Sequence, residues 1–152
     1  MLIETLAESE LGAIRPLLVD LLHGEQELSA KPQLSPEQLE RWLPITKGSF
    51  LGENHIFAAK EEGRILGFCW CLLFDPGTGL EGEVAELYVT PEARGQGVAS
   101  RLVEEAVALF AKHQVTFACV WTRESNRAAV SAYRRAGFGL TDQLVLTWYP
   151  SR

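Results

Sequence analysis

The sequence predicts one α/β domain: a mixed, mostly antiparallel central sheet of six to seven strands, with helices on both faces. Three observations predict it. Short runs of β-forming residues alternate with apolar stripes of helical period. His55 to Lys60 and Arg64 to Phe74 flank Glu61-Glu62-Gly63 as the two arms of a hairpin, so part of the sheet is antiparallel. A strand over Val84 to Val89, a helix, and a strand over Phe117 to Thr122 then follow as a crossover unit, so that pair is parallel. At 152 residues the chain suffices for a single domain with its own core, with no internal repeat or linker.

The elements follow in order. Leu2 to Leu6 reads as an edge strand. Ser9 is placed to cap a helix running to about His23, with Leu11, Ile14, Leu18 and Leu21 at helical spacing. Pro16 inside it means that the helix either kinks or begins near Arg15. His23 to Glu27 reads as a polar loop. Ser35-Pro36-Glu37-Gln38 is a capping box with proline at the first helical position; its short helix offers Leu39, Trp42 and Leu43 and stops before Pro44. The second hairpin strand is apolar on both faces, which marks it as central. Asp75 to Gly79 is a turn. Val98, Leu102, Ala106, Leu109 and Phe110 form one stripe of the next helix, closed by Lys112 and His113 at its negative end. Asn126 begins the last helix, Gly137 ends it, and Leu144 to Tyr149 reads as a closing strand.

The stretch that organises the chain is EVAELYVTPEARGQGVASRL, Glu83 to Leu102. Pro91 ends a strand because it cannot donate to a ladder. Gly95 and Gly97 let backbone N–H groups approach a ligand closely, and the helix that follows aims its unpaired first-turn donors at the same place. Such a loop suits phosphate. A nucleotide P-loop needs Gly-Lys-Ser/Thr closing the run, and Val98-Ala99 follows Gly97 instead. A dinucleotide fingerprint needs Gly or Ala where Ser100 stands. The third pattern, R/Q-x-x-G-x-G/A, is met by Arg94, Gly97 and Ala99. A second motif lies downstream, N-x-x-A-x-x-x-Y-x-x-x-G-F, met by Asn126, Ala129, Tyr133, Gly137 and Phe138. The two motifs, in this order and spacing, closely resemble the GNAT superfamily of acetyl-CoA-dependent N-acetyltransferases. The resemblance is specific from Glu83 to Phe138.

That resemblance implies a GNAT fold in which the strand carrying Leu87 and Val89 splays from the strand ending Trp121-Thr122. Backbone groups exposed by a splay must be satisfied by a ligand, and in this family the pantetheine arm takes them like an added strand. Leu87, Tyr88 and Val89 would bind it, and the Val89 N–H could polarise the thioester carbonyl. The pyrophosphate would rest on Arg94, Gly95, Gln96, Gly97, Val98, Ala99 and Ser100, and Asn126 would bond the arm. Tyr133 is the implied acid facing the cofactor sulfur; otherwise it is a core tyrosine on the apolar face of its helix. Glu86 is the first candidate base, because a carboxylate interrupting an apolar strand needs a reason. Glu83 is the second, on the opposite face by simple alternation, and a water relay is a third possibility. The helix pair near the N-terminus would cover the acceptor entrance, with Trp42 either touching substrate or anchoring the core.

Charge refines the picture. The net charge is −6, which argues against a nucleic-acid partner. Residues 94 to 135 hold seven Arg/Lys and three acids, a net +4, so the remainder carries −10. A basic segment around the loop suits an anionic cofactor, and the acidic remainder suits a cationic or neutral amine acceptor, small molecule or peptide. The longest apolar run, Phe68 to Phe74, is too short to span a bilayer. The opening MLIETLAESE has no basic leader, and Cys69, Cys71 and Cys119 sit in apolar strands as expected of reduced thiols, so a cytoplasmic location is expected. Cys69 and Cys71 share a strand face, but no nearby Cys or His completes a metal site, and none is expected. A homodimer is compatible with the sequence and not specified by it. Two other readings stay open: transfer of a longer acyl group, and a catalytically silent CoA-binding regulatory or interaction domain. A nucleotide-binding switch lacks its lysine.

Overall fold

The computed structural model of the chain describes residues 1–27, 34–42, 52–75, 79–142 and 144–147. Five strands lie in the order β1 (Leu2–Thr5), β2 (Gly52–Glu61), β3 (Arg64–Phe74), β4 (Glu81–Val89) and β5 (Phe117–Val120). Each pairs with its sequence neighbour, antiparallel except for the parallel pair β4–β5. The hairpin, the central apolar strand and the crossover are therefore as the sequence predicts.

The helices divide between the two faces. α3 (Val98–Lys112) and α4 (Arg127–Arg135) cover one. There Leu102, Val103 and Ala106 are wholly buried against Cys69, Cys71, Leu73 and Val84. Fully burying such a Leu or Val contributes ~1.5–3 kcal/mol. Leu109, expected in that stripe, is only half-buried. β4 comes so close to α3 that a Cβ on Gly82 would stand 2.7 Å from the Phe110 ring. The other face carries a 3-10 segment, Glu8–Ile14, followed by α1 (Arg15–Glu27), with α2 (Pro36–Trp42) packed on α1. Ile14, Leu18, Phe68 and Tyr88 meet there in a second cluster.

Several expectations are corrected. Among the described residues the sheet has five strands rather than six or seven. Leu144 to Thr147 of the expected closing strand are not in a strand, and Leu144 and Leu146 are about nine-tenths exposed at 88% and 92%; the rest of that segment lies outside the described residues. Alternating apolar residues make a strand only when a neighbour takes their backbone groups, and among the described residues β5 has no partner beyond β4. Ser9 is not a cap: Ala7 begins the 3-10 segment and its N–H donates to Glu10 Oε2 at 2.9 Å. His23 to Glu27, expected as a loop, continues α1, and Pro16 sits in the first turn, where no hydrogen bond is lost. The Ser35 capping box forms as expected, Ser35 N–H donating to Gln38 Oε1 at 2.8 Å. Trp42 ends α2; its side chain, Leu43 and Pro44 lie outside the described residues.

Candidate active site

Pairing between β4 and β5 covers only Glu81–Val84 against Phe117–Val120. From Ala85 to Val89, β4 runs on without β5 beside it. Thr90 N–H donates across to Leu66 O on β3 at 2.9 Å. Because strand polar groups alternate in direction, those of Val89 point the other way, into the gap. The Val89 carbonyl is met there by Arg94 Nε at 3.1 Å. The splay implied by the motifs is thus present.

The glycine loop stands at the end of this gap. Gly97 has φ 79° and ψ 4°, a left-handed conformation that costs other residues strain, and it caps α3. A Cβ at Gly97 would meet nothing within 4 Å, because the loop faces open space. Side chains hold the loop from outside: Gln96 Nε2 donates to Glu92 O at 2.9 Å, and the Arg94 guanidinium lies 5.9 Å above the Tyr88 ring. Arg94 thus clasps the loop to β4.

Two cavities adjoin here and share Val89, Ala99 and Ala128. One, of about 520 Å3, runs from Asp20 and Gly24 on α1 past Leu87 and Tyr88 to Asn126 and Arg127. The other, of about 590 Å3, lies between Gly95–Ser100 and α4, with Arg135 on its wall. Together they form a cleft that begins at the splay and ends on a basic helix. Asn126 Oδ1 caps α4 by accepting from Ala129 N–H at 3.2 Å, so a local structural role accounts for part of its motif position.

Some participants are not singled out by sequence reasoning. Arg135 donates to Ser131 Oγ at 2.9 Å and to Ser100 Oγ at 3.1 Å, fastening α4 to the loop. The Tyr88 hydroxyl donates to Asp20 Oδ2 at 3.4 Å, and burial first, then Asp20, pushes its phenol up. Asp20 is 68 residues away in sequence, and no local signal could announce it.

Tyr133 is buried, its ring edge-on to Phe138 at 5.7 Å. Burial above all, then the proximity of Cys69, Glu86 and Cys71, raises its phenol far above the usual value. Its hydroxyl therefore stays protonated at working pH, within the influence of Cys69, Glu86 and Cys71, and Tyr133 lines neither of the two cavities. The two thiols point the same way from β3, Sγ to Sγ 3.6 Å, inside the core. Among the described residues no cluster of three or more His, Cys, Asp or Glu is arranged to hold a metal.

The two glutamates require a correction. Alternation places Glu83 and Glu86 on opposite faces; the structure places them on one. The β3–β4 register shifts so that Trp70 opposes Glu86 while Cys71 opposes Val84, leaving Ala85 as an extra residue. Glu86 pairs with Trp70, and Glu83 with Leu72, two residues on along the same face of β3. That is the α1 side, where Trp70 joins the second cluster. Burial raises the Glu83 carboxyl above its ordinary value.

A splayed parallel pair and a glycine-rich loop at a helix start define an acetyltransferase-type fold. Residues 18–138 match the model of the acetyltransferase (GNAT) family, and the chain belongs to that family. It is 32% identical over 127 residues to a mycothiol acetyltransferase of Arthrobacter sp. (strain FB24), covering 82% of this chain and 37% of that protein. It is 30% identical over 129 residues to the mycothiol acetyltransferase of Thermobifida fusca (strain YX), covering 82% and 38%. The chain thus spans under two fifths of the length of these relatives. Among solved structures, an integron cassette protein from the mobile metagenome of V. cholerae superposes with TM-score 0.75 at 18% identity, covering 99% of this chain and 92% of that one. An aminoglycoside acetyltransferase from an uncultured soil metagenomic sample superposes with TM-score 0.71 at 18% identity, covering 99% and 96%. These likenesses establish the fold.

Proposed function

We propose that the chain is an N-acetyltransferase that moves an acetyl group from acetyl-CoA to a primary amine of a small molecule or peptide, both substrates being bound together. The observation that carries this reading is the unpaired run of β4 from Ala85 to Val89, which carries Glu86 and opens on the glycine loop at its end.

The residues fit acetyl-CoA. The inward-facing backbone of Leu87 and Val89 suits the amides of a pantetheine arm, with Tyr88 filling the wall between them. The donors of Arg94–Ser100 suit a pyrophosphate, and Arg127 and Arg135 add positive charge further along the cleft. Asn126 lines the same cavity while its oxygen caps the helix. Bound there, acetyl-CoA supplies a thioester: the amine forms a C–N bond to its carbonyl carbon as the C–S bond breaks.

The chain's own groups make the transfer balance. An ammonium of pKa ~10 must lose a proton before it attacks, and Glu86, on the acceptor side of β4, accepts it. Glu83 stands on the same face as the second carboxylate. The Val89 N–H, aimed into the gap, donates to the carbonyl oxygen as it gains charge. Tyr133, kept protonated by burial, gives its proton to the departing sulfur and is restored by the second proton that the attacking nitrogen sheds as the amide forms. Binding both partners at once leaves no covalent step on the protein.

The names of the relatives, mycothiol and aminoglycoside acetyltransferases, favour a small-molecule acceptor. Three free thiols favour the cytoplasm, and no helix among the described residues is long and apolar enough to cross a membrane. The test is acetyl-CoA turnover with a panel of amines, read by thiol release and by product mass. Release that tracks an N-acetyl product supports the proposal. CoA binding without turnover on any amine would assign a silent binding domain, and preference for longer thioesters would change the donor.

A further inference from the structure

β5 presents Phe117 and Cys119 on the face where β4 presents Glu81 and Glu83. Phe117 pairs with Glu81 and Cys119 with Glu83 across the parallel ladder, so these side chains share a face. Ala118 and Val120 point the other way, into the α3 core. Trp121 stands one residue beyond the last β4–β5 pair, Val84 with Val120, at the mouth of the splay. The Cys119 thiol, two residues before it, lies near Trp121, Glu83 and Glu81. Trp121 is 60% exposed and Phe117 is 44% exposed. A large indole open to solvent at the end of a strand, with two carboxylates on the neighbouring strand, is not accounted for by packing of the core.

We propose that Trp121 is the specificity wall of an acceptor subsite, which takes an amine bearing a second positive charge on a carbon-rich body. One amine would enter the splay towards Glu86. The body would lie along the indole, and the second ammonium would rest between its π-face and Glu83. An indole is the best aromatic partner for an ammonium, and nearby carboxylates reinforce it without a rigid geometry. An acidic group at the same place would meet Glu81 and Glu83 and be repelled. This inference rests on the acetyltransferase reading and deepens it by naming the acceptor class. The two ends of β4 then divide the work: Leu87 to Val89 serve the donor, and Glu83 to Glu86, with Trp121 across the gap, serve the acceptor.

The test uses three probes of equal chain length: 1,5-diaminopentane, pentylamine and 5-aminopentanoate. Acetyl-CoA turnover is measured for each with the wild type, Trp121→Phe and Trp121→Ala. The expected order of kcat/KM in the wild type is diamine, then pentylamine, then amino acid. Trp121→Ala should raise KM for the diamine by roughly 3- to 30-fold, the range that a cation over an indole supplies, while KM for acetyl-CoA and kcat hold. Trp121→Phe should recover part of that loss. An amino acid as good as the diamine, or a diamine KM indifferent to Trp121→Ala, overturns the subsite and leaves acetyl transfer standing. A separate titration follows the tryptophan fluorescence that Trp121→Phe removes. If no amine turns over, quenching of that signal by the diamine but not the amino acid supports the subsite without the activity. Its absence then overturns both.

Discussion

Glu83 and Glu86 project from the same face of β4 although they stand three positions apart, because Ala85 is an extra residue in the ladder to β3. A strand without that bulge would turn one of them into the α3 core, where no partner for a carboxylate is described. The bulge instead delivers two carboxylates to the face that Phe117 and Cys119 share, where β4 and β5 part just before Trp121.

The pair should divide by role. Glu86→Gln removes the proposed base and should lower kcat by ~100- to 10,000-fold, the usual range for general acid–base groups. Glu83→Gln should act chiefly on KM for a cationic acceptor. The sign with pH follows from the raised carboxyl of Glu83. Its charge is present above that pKa and lost as pH falls through it, so wild-type KM should climb on the acid side, starting above the ~4.3 of a free glutamate. In Glu83→Gln that climb should vanish. Identical pH profiles for the two proteins would remove Glu83 from the acceptor site.

Tyr133→Phe should leave CoA affinity and melting temperature close to wild type, since the ring keeps its edge contact with Phe138. Under conditions where chemistry limits, kcat should fall by ~100- to 10,000-fold. No alkaline limb below the ordinary phenol value should come from this residue, because burial holds its proton. A wild-type rate in the variant returns Tyr133 to a purely structural place in the core.

Gly97→Val puts a branched side chain into the open cleft and forces it into a left-handed backbone. CoA affinity measured by calorimetry should fall at least about tenfold, in a variant shown by circular dichroism to be folded. Arg135→Ala provides a milder comparison: it removes the tie to Ser100 and a cation from the cavity wall, and its loss of affinity should shrink at high salt. Unchanged affinity in both proteins would relocate the pyrophosphate.

Gly82→Ala tests the packing that holds β4 in place. The new methyl would lie 2.7 Å from the Phe110 ring, which is itself buried and has little room to turn. Overpacking of this kind costs about 1–3 kcal/mol, and each kcal/mol lowers the midpoint by roughly 2–4 °C in a chain of this size. Thermal melting that matches the wild type would show that α3 can lift without cost.

Much of this protein is local in origin and could be read from residue order alone. The hairpin around Glu61–Gly63, the stripe of α3, the Ser35 capping box and the crossover to β5 follow from periodicity, turn chemistry and handedness, which act over a few residues. The loop Arg94–Ser100 and the Asn126–Tyr133 helix were legible for the same reason: their glycines, cap and spacing are the local conditions of their shapes. What needed the tertiary structure was whatever depends on a neighbour. The Leu144–Tyr149 segment has the alternation of a strand, yet its described residues find no strand to pair with. Glu83 and Glu86 change their relative facing because of one unpaired residue whose position is set by the register against β3. Asp20 reaches Tyr88 and Arg135 reaches Ser100 only once helices far apart in sequence are docked on one sheet. Trp121 acquires its place at the mouth of the splay because β5 stops pairing one residue before it. Sequence specifies dihedral preferences and apolar faces, but ladder register and the end of a strand pair are set by how whole faces pack, and at this site those two quantities decide which side chains meet.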